Sequence, residues 1–210
     1  GKIVWADQYM ILLAEEISKH YKKAPIIMDV KSSKVFFDQV KKIGCEPIMY
    51  KTGHSVIKDK MAELKSPLSG EMSGHIMYKD DFFGYDDAFY VGLRLLRILS
   101  KRSKTLNEII SLYPKTYSTP EIRFDVEESR KFQIVEEIKN RLSNENLKII
   151  SLDGVRVENN FGWWLIRASN TQNALTVRAE STDKKSLEIL INNIEKELSK
   201  SGISFKFSEQ

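Results

Sequence analysis

The sequence predicts two domains of different fold class: an α/β domain with a mixed, mainly parallel sheet, followed by a smaller α+β domain with an antiparallel sheet backed by two helices. Residues 1–112 alternate short apolar strands with amphipathic helices, which is the order of βαβ units. Residues 113–210 instead carry successive strands separated by short polar turns. Residues 111–120 contain two prolines and no apolar periodicity, so we expect a hinge there.

The composition is that of a soluble globular protein. Of the 210 residues, 41% are hydrophobic and 30% are charged, which excludes a disordered tail, a collagen-like repeat and a disulfide-stapled mini-protein. No apolar run approaches the roughly 18 residues of a membrane span, and Cys45 has no partner for an internal disulfide, so we expect a cytoplasmic protein without a membrane partner. The chain begins Gly1-Lys2, which favours a processed product or an expressed fragment.

The first domain is predicted to open with a helix capped by Asp7. One face of this helix carries apolar residues at helical spacing: Met10, Leu13, Ala14, Ile17 and Tyr21. A strand at residues 26–30, a helix ending at Gly44 and a strand at residues 47–50 then form a βαβ unit, which implies parallel strands.

Three more helices are predicted in this domain. One runs from about residue 56 to residue 64, before a glycine-rich stretch at residues 69–75. Asp86 is expected to cap a long helix, and Thr105 with Glu108 forms a capping box for the last one.

The second domain is predicted to pair its strands through short turns. Strands are expected near residues 122–124, 147–157 (a hairpin around Asp153-Gly154), 163–167, 175–180 and 203–207. The first of its two helices is expected to face inward with Phe132, Val135, Ile138 and Leu142, and the closing helix with Leu187, Leu190, Ile191, Ile194 and Leu198.

The charge distribution says little about the partner. The formal net charge is +4, and all of the excess lies before Pro114 in scattered basic pairs. Nucleic-acid-binding proteins usually cluster their basic residues on one face. A basic nucleic-acid-binding module, with Trp163-Trp164 as a stacking surface, is therefore the alternative to a protein that binds a small anion.

Three polar loops next to predicted strands carry the candidate chemistry. The first, residues 51–55, reads Lys-Thr-Gly-His-Ser and directly precedes a helix, whose free N–H groups favour a phosphate. His54, the lysine and the two hydroxyls could add donors. The simpler interpretation is structural, with Ser55 capping the helix and Gly53 turning the chain.

The second loop, residues 70–75, reads Gly-Glu-Met-Ser-Gly-His. Glu71 can accept hydrogen bonds from neighbouring sugar hydroxyls, and Ser73 can donate or accept one. The flanking glycines allow the backbone to approach a ligand. An ordinary surface turn is the alternative.

The third loop, residues 167–171, reads Arg-Ala-Ser-Asn-Thr and joins two predicted strands. Its guanidinium, two hydroxyls and amide form a donor-rich cluster without a carboxylate, which suits phosphate. The alternative is a polar hairpin turn with Arg167 as a surface charge.

No metal ligand is predicted within this chain. The pair Asp80-Asp81 is interpreted as a solvated turn, and the three histidines and one cysteine show no zinc spacing. Neither a G-x-G-x-x-G fingerprint nor a Walker A loop occurs.

Together the three loops resemble the α-D-phosphohexomutase family. The resemblance extends from Trp5-Ala6-Asp7 through residues 118–122 and 153–156 to the final helix. Members of this family have four domains around one cleft, and this chain resembles the third and fourth. The Gly-Glu-Met-Ser-Gly form of the second loop is similar to the phosphomannomutase/phosphoglucomutase branch, which accepts both epimers.

The resemblance implies a role for each loop. Glu71 and Ser73 would hold the O3 and O4 hydroxyls of the sugar, with His75 beside them. Lys31 and His54 would face the reacting end of the substrate and assist proton movement or stabilise charge. The phosphate that is not being transferred would be held by Arg167, Ser169, Asn170 and Thr171.

The resemblance also implies what lies outside this chain. The family's phosphoserine loop and its magnesium loop belong to the first two domains, so Mg²⁺ is expected only in the full-length enzyme. That enzyme would interconvert hexose 6-phosphate and hexose 1-phosphate of mannose or glucose through a hexose 1,6-bisphosphate. This C-terminal half would be inactive without the N-terminal domains.

Two questions stay open at this point. Many members have a proline after Thr171, where this chain reads Gln172-Asn173-Ala174, so the local geometry of the loop is undetermined. A self-sufficient phosphohydrolase using His54 or His75 is a further alternative, although no nucleophile motif supports it.

Overall fold

The computed structural model describes Gly1 and residues 3–207. It divides the chain into two compact units, Gly1–Pro114 and a second unit that begins at Lys115. Each unit contains one sheet. No helix in the described part of the chain is long and apolar enough to span a bilayer.

The first unit is a four-stranded sheet with helices on both faces. Its strands are β1 (Pro25–Asp29), β2 (Glu46–Tyr50), β3 (Leu68–Gly70) and β4 (Ile76–Tyr78). Its helices are α1 (Ala6–Ser18), α2 (Lys34–Lys42), α3 (His54–Leu64), α4 (Ala88–Ser100) and α5 (Leu106–Ile110). In the order β2-β1-β3-β4, β1 is parallel to β2 and β3, and β4 is antiparallel to β3, which confirms a mixed, mainly parallel sheet.

Apolar side chains cover both faces of this sheet. Met10 and Leu13 of α1 are fully buried in a cluster shared with α2 and α4. On the opposite face, Ile57 and Met61 of α3 pack with Ile27 of β1. Because both faces are covered, the polar loops at the strand ends are the part of the sheet that can meet a ligand.

The second unit is a six-stranded antiparallel sheet with two helices. Its strands are β5 (Tyr117–Ser118), β6 (Ile122–Asp125), β7 (Lys148–Ile150), β8 (Val155–Glu158), β9 (Gly162–Ala168) and β10 (Ala174–Ser181). The helices are α6 (Glu128–Leu142) and α7 (Lys184–Lys200). The order is β5-β10-β9-β8-β7, and β6 pairs with the other half of β10, which confirms the predicted α+β class.

The two faces of this second sheet differ in chemistry. On one face, Trp164 and Ile166 belong to the apolar cluster that includes α6 and α7. On the other face, the Arg156 guanidinium lies 3.8 Å from the ring centroid of Trp163, whose Nε1 donates to Glu180 at 2.9 Å. Both tryptophans are buried, so neither offers the stacking surface that nucleic-acid binding would require.

Two predicted helix caps are wrong. Asp7 lies inside the first turn of α1 and is buried, and its Oδ2 accepts a hydrogen bond from the Ser33 amide at 2.9 Å. α4 is capped by Asp87, which accepts from the Tyr90 amide at 2.9 Å, whereas Asp86 bonds to residues outside the helix. Both aspartates therefore serve tertiary contacts rather than a helix end.

Two predictions for the second unit are also wrong. Phe132 is 56% exposed, because Lys131 and Ile134 take the buried positions in the first half of α6, whereas Ile138 and Leu142 are buried as predicted. Residues 203–207 form no strand, and Phe205 instead packs its ring 4.5 Å from that of Phe124. These side chains cover the core without joining the sheet.

The last part of the predicted hinge, from residue 117 on, is hydrogen-bonded to the sheet of the second unit. Tyr117–Ser118 pairs with β10, and Thr119 both donates to the Ala179 carbonyl and accepts from the Ala179 amide, each at 3.0 Å. A hinge therefore stays a prediction for residues 111–116.

Gly154 provides a test of the turn between β7 and β8. Its φ is +88°, and a Cβ atom would lie 2.4 Å from the Ile166 carbonyl oxygen and 2.6 Å from Arg167 Cβ. We expect Gly154→Ala to lower the free energy of unfolding by about 3 kcal/mol or more, because backbone strain and overlap add.

The matched control is Gly202→Ala. Gly202 also has positive φ (+78°), but nothing lies within 4 Å of the position of its Cβ, so we expect a loss of about 1 kcal/mol. Urea unfolding, followed by amide NMR signals of the second unit, measures both variants. Equal losses would contradict the close approach at Gly154.

Candidate functional site

Three loops of the first unit begin at the same edge of its sheet. β1, β2 and β3 run parallel, so the chain leaves all three strands at their common carboxyl edge. This edge carries Lys31, the 51–55 loop and the 71–75 loop. The topology therefore brings two of the three loops predicted from the sequence, residues 51–55 and 71–75, to one edge of the sheet.

Asp29, the last residue of β1, holds this edge together. Its side chain is fully buried, and Oδ1 accepts hydrogen bonds from the Ser32 hydroxyl at 2.5 Å and the Met72 amide at 3.1 Å. Lys31 Nζ lies 3.8 Å from Oδ2, and Lys31 is itself buried. Sequence reasoning missed Asp29, although a carboxylate ending an apolar strand is a visible signal.

Glu71 lies in a short turn that is closed by two main-chain hydrogen bonds. Its amide donates to the His75 carbonyl at 2.9 Å, and its carbonyl accepts from the Gly74 amide at 3.0 Å. Burial raises the pKa of the Glu71 carboxyl, and the charge of Asp29 raises it further, against the opposing effects of Lys31, His75 and the Gly53 N–H. Glu71 is therefore a buried acceptor, whereas Ser73 is exposed.

His75 is oriented by Asp86, the residue wrongly predicted as a cap. His75 Nδ1 lies 2.6 Å from Asp86 Oδ2, while Asp86 Oδ1 accepts from the Ile76 amide at 3.2 Å. Because an ionised carboxylate only accepts hydrogen bonds, this contact keeps a proton on Nδ1. The Nε2 atom is the ring nitrogen left for a ligand.

The 51–55 loop meets the 71–75 loop through their histidines. The ring centroids of His54 and His75 are 5.6 Å apart. Helix α3 begins at His54, with Gly53 at φ +131° as its N-cap and no side-chain capping bond. Ser55 is therefore not the cap that the structural interpretation assumed, and the first amides of α3 have no side-chain acceptor at the cap.

The third loop is a turn joining β9 to β10 in the second unit. The buried Ser169 hydroxyl accepts from the Thr171 amide at 3.4 Å and the Gln172 amide at 3.1 Å, and the Ser169 amide donates to the Ala174 carbonyl at 2.9 Å. Asn170 and Thr171 are exposed. The turn thus presents an amide, a hydroxyl and main-chain groups to solvent.

Arg167 forms an ion pair with Asp153, a carboxylate that lies 14 residues earlier in the sequence. Its Nε lies 3.1 Å from Oδ2 of Asp153, which comes from the β7–β8 turn, and both side chains are largely buried. The charge of Arg167 is therefore matched within the second unit. A phosphate at this loop would meet an ion pair rather than an isolated guanidinium.

The described residues contain no group of three or more His, Cys, Asp or Glu side chains arranged to hold a metal ion. The solvated turn predicted for Asp80-Asp81 holds for the exposed Asp81 only, because Asp80 is buried and lies 2.7 Å from Arg94 Nη2. That contact, with a hydrogen bond from Arg94 to the Tyr78 hydroxyl at 3.1 Å, makes Asp80 structural.

Comparison with family models covers most of the chain. The phosphoglucomutase/phosphomannomutase α/β/α domain III model matches residues 5–117, and the C-terminal domain model of the same family matches residues 121–197. The chain belongs to the phosphoglucomutase/phosphomannomutase family. The resemblance inferred from the three loops is thereby confirmed.

Individual relatives are longer than this chain. It is 40% identical over 188 residues to a phosphomannomutase/phosphoglucomutase of Pseudomonas aeruginosa, covering 90% of this chain and 41% of the relative. It is 39% identical to a phosphoglucomutase of Neisseria gonorrhoeae, with 91% and 42% covered. A crystal structure of a family protein from Burkholderia thailandensis matches with TM-score 0.88 and 33% identity over 96% of this chain and 43% of that one. The chain thus spans about two-fifths of these relatives.

The raised pKa of Glu71 predicts a pH-dependent effect of Glu71→Gln. A carboxyl whose pKa is raised in the folded state contributes to stability at pH values below its ordinary pKa of 4.5. This contribution is lost as the pH rises through the folded-state pKa. We therefore expect the stability of the wild type relative to Glu71→Gln to fall between pH 4 and pH 7, measured by urea unfolding.

Glu108 is the control with the opposite sign. Hydrogen bonds from the Thr105 amide and hydroxyl lower the pKa of this exposed carboxyl, so the wild type should gain stability relative to Glu108→Gln as the pH rises. Parallel pH dependence of the two variants would contradict the burial of Glu71.

Proposed function

We propose that this chain supplies the sugar-binding and phosphate-binding parts of a phosphohexomutase that interconverts hexose 6-phosphate and hexose 1-phosphate. The observation that carries the proposal is the edge held by Asp29, where a buried acceptor, Glu71, lies beside two histidines and Lys31. Family membership and the names of the relatives support the reaction class.

In this proposal the first unit binds the sugar. Glu71 accepts hydrogen bonds from two neighbouring hydroxyls and Ser73 adds one, while His75 offers Nε2 because Asp86 occupies its other nitrogen. Lys31 and His54 stand at the same edge and would stabilise charge or move a proton near the reacting phosphate.

The second unit binds the phosphate that is not transferred. The Ser169 hydroxyl orders the turn, and the exposed Asn170 and Thr171 present donors to phosphate oxygens. Arg167 contributes guanidinium N–H groups that are not used by Asp153. With a hexose 1,6-bisphosphate as intermediate, either end of the ligand could use this same turn while the other end reacts.

The phosphoserine and the magnesium ion of the reaction are proposed to belong to the family domains outside this chain. Phosphoryl transfer needs an in-line nucleophile and a cation to neutralise developing charge. The described residues offer no group suited to that cation. We therefore expect this chain alone to bind hexose phosphates without converting them.

Amide NMR titrations of the chain test the proposal. Glucose or mannose alone should shift residues 51–55 and 70–75, inorganic phosphate alone should shift residues 167–171, and the two hexose 1-phosphates should shift both sets. Each effect follows from the donor and acceptor chemistry of the loop concerned. Glu71→Gln should remove the sugar response only, and Ser169→Ala should weaken the phosphate response only.

The titration also separates the alternative. Shifts confined to other surfaces, or none at saturating hexose phosphate, would contradict the assignment of these loops. A short oligonucleotide that shifts many residues and loses its effect steeply with salt would favour the nucleic-acid-binding function.

The intact protein should distinguish the two binding loops kinetically. We expect Arg167→Ala to raise KM for hexose phosphate by about tenfold or more, because charge-assisted hydrogen bonds contribute most to binding. Ser73→Ala removes one neutral hydrogen bond and should raise KM by only about threefold. Steady-state kinetics with equal effects of the two variants would contradict the assignment.

A further inference from the structure

Lys131 is a buried cation on the apolar stripe of α6. It is 4% exposed and precedes Ile134 and Ile138 on the face that packs against the second sheet. Within the described residues its ammonium forms no ion pair, and its Nζ donates to the main-chain carbonyl of Gln172 at 3.0 Å. Removing a charged group from water without a counterion is costly, so this placement requires a reason other than packing.

Gln172 is also held by its side chain. Arg123 of β6 donates from Nη1 to Gln172 Oε1 at 2.7 Å, and Arg123 is the β6 residue paired with Thr176 of β10. Two cations from different elements therefore bind the main-chain and side-chain oxygens of a single residue. That residue belongs to the exposed turn between β9 and β10.

The turn has few other anchors. Asn170, Thr171, Gln172 and Asn173 are all exposed, and the Ser169 hydroxyl accepts from the amides of Thr171 and Gln172 within the turn itself. One main-chain bond leaves the turn, from the Val126 amide to the Asn173 carbonyl at 2.9 Å. A turn with four exposed residues and so few contacts to the rest of the fold would sample several conformations. The contacts of Lys131 and Arg123 with Gln172 attach it to α6 and β6.

The charge of Lys131 has a second consequence. The Arg167 guanidinium is matched by Asp153, so that pair adds little net field at the turn. The positive charge of Lys131 forms no ion pair with a carboxylate among the described residues, and its Nζ lies between the Gln172 carbonyl of the turn and the Phe132 ring, 5.2 Å from the ring centroid. It therefore favours an anion at the surface of the turn.

We propose that Lys131 is a positioning residue for a phosphate monoester bound at the Ser169–Asn173 turn, with Arg123 as the second anchor. Lys131 holds the Gln172 carbonyl so that the amides and hydroxyls of the turn keep one orientation, and its charge lowers the dissociation constant of the anion. This inference rests on the proposed phosphate-binding function of the turn.

Amide NMR of the chain tests the inference, with inorganic phosphate and glucose 1-phosphate as probes. Lys131→Met should raise both dissociation constants by about tenfold and accelerate hydrogen exchange of the Thr171 and Gln172 amides by about tenfold. Arg123→Met, which changes a half-exposed side chain, should give a smaller rise of about threefold. Lys139→Met, at a partly exposed lysine two turns further along α6, is the control and should change neither quantity.

Several outcomes would overturn the inference. Unchanged phosphate affinity in both Lys131→Met and Arg123→Met would do so. A uniform acceleration of hydrogen exchange throughout the second unit, with a matching fall of its urea midpoint, would also overturn it, because such a change indicates that Lys131 has a structural role only. A wild type that binds neither probe would instead overturn the proposed function of the turn, and this inference with it. Faster exchange at the turn together with weaker binding and an unchanged urea midpoint supports it.

Discussion

The candidate site of the first unit depends on one buried carboxylate. Asp29 ends β1 without exposure to solvent, and its Oδ1 accepts from the Ser32 hydroxyl and the Met72 amide, so a single side chain fixes the loops that follow β1 and β3. Burying a charge costs less when it is hydrogen-bonded and paired, and Lys31 supplies the opposite charge at 3.8 Å. The same negative charge contributes to the raised pKa of Glu71, which links the geometry of the edge to its electrostatics.

The candidate loops of the two units carry different chemical groups. The first provides acceptors, a buried carboxylate and a ring nitrogen, at the carboxyl edge of a mainly parallel sheet. The second provides donors, hydroxyls and main-chain amides, on a turn between antiparallel strands. Sugar hydroxyls can satisfy the first set and phosphate oxygens the second. The proposed division of labour between sugar binding and phosphate binding follows from this difference.

Sequence patterns predicted the architecture because apolar periodicity reports which face of an element is buried. They placed the βαβ unit, the capping box at Thr105 and Glu108, and the antiparallel order of the second unit correctly. They failed where a polar side chain serves a distant partner. Asp7 and Asp86 look like caps in the sequence, but one binds the Ser33 amide and the other binds His75. Lys131 was not foreseen for the same reason, since a lysine within an apolar stripe gives no local indication of the carbonyl it binds.

The central claim is that this chain is the substrate-binding part of a phosphohexomutase. Its most direct test is a phosphorus NMR assay of mannose 1-phosphate and glucose 1-phosphate with the intact protein that carries this chain and with the chain alone, both supplied with magnesium and a hexose 1,6-bisphosphate. Our account predicts conversion to the 6-phosphates by the intact protein and none by the chain. Conversion by the chain alone, or an intact protein inert toward both sugars, would contradict it.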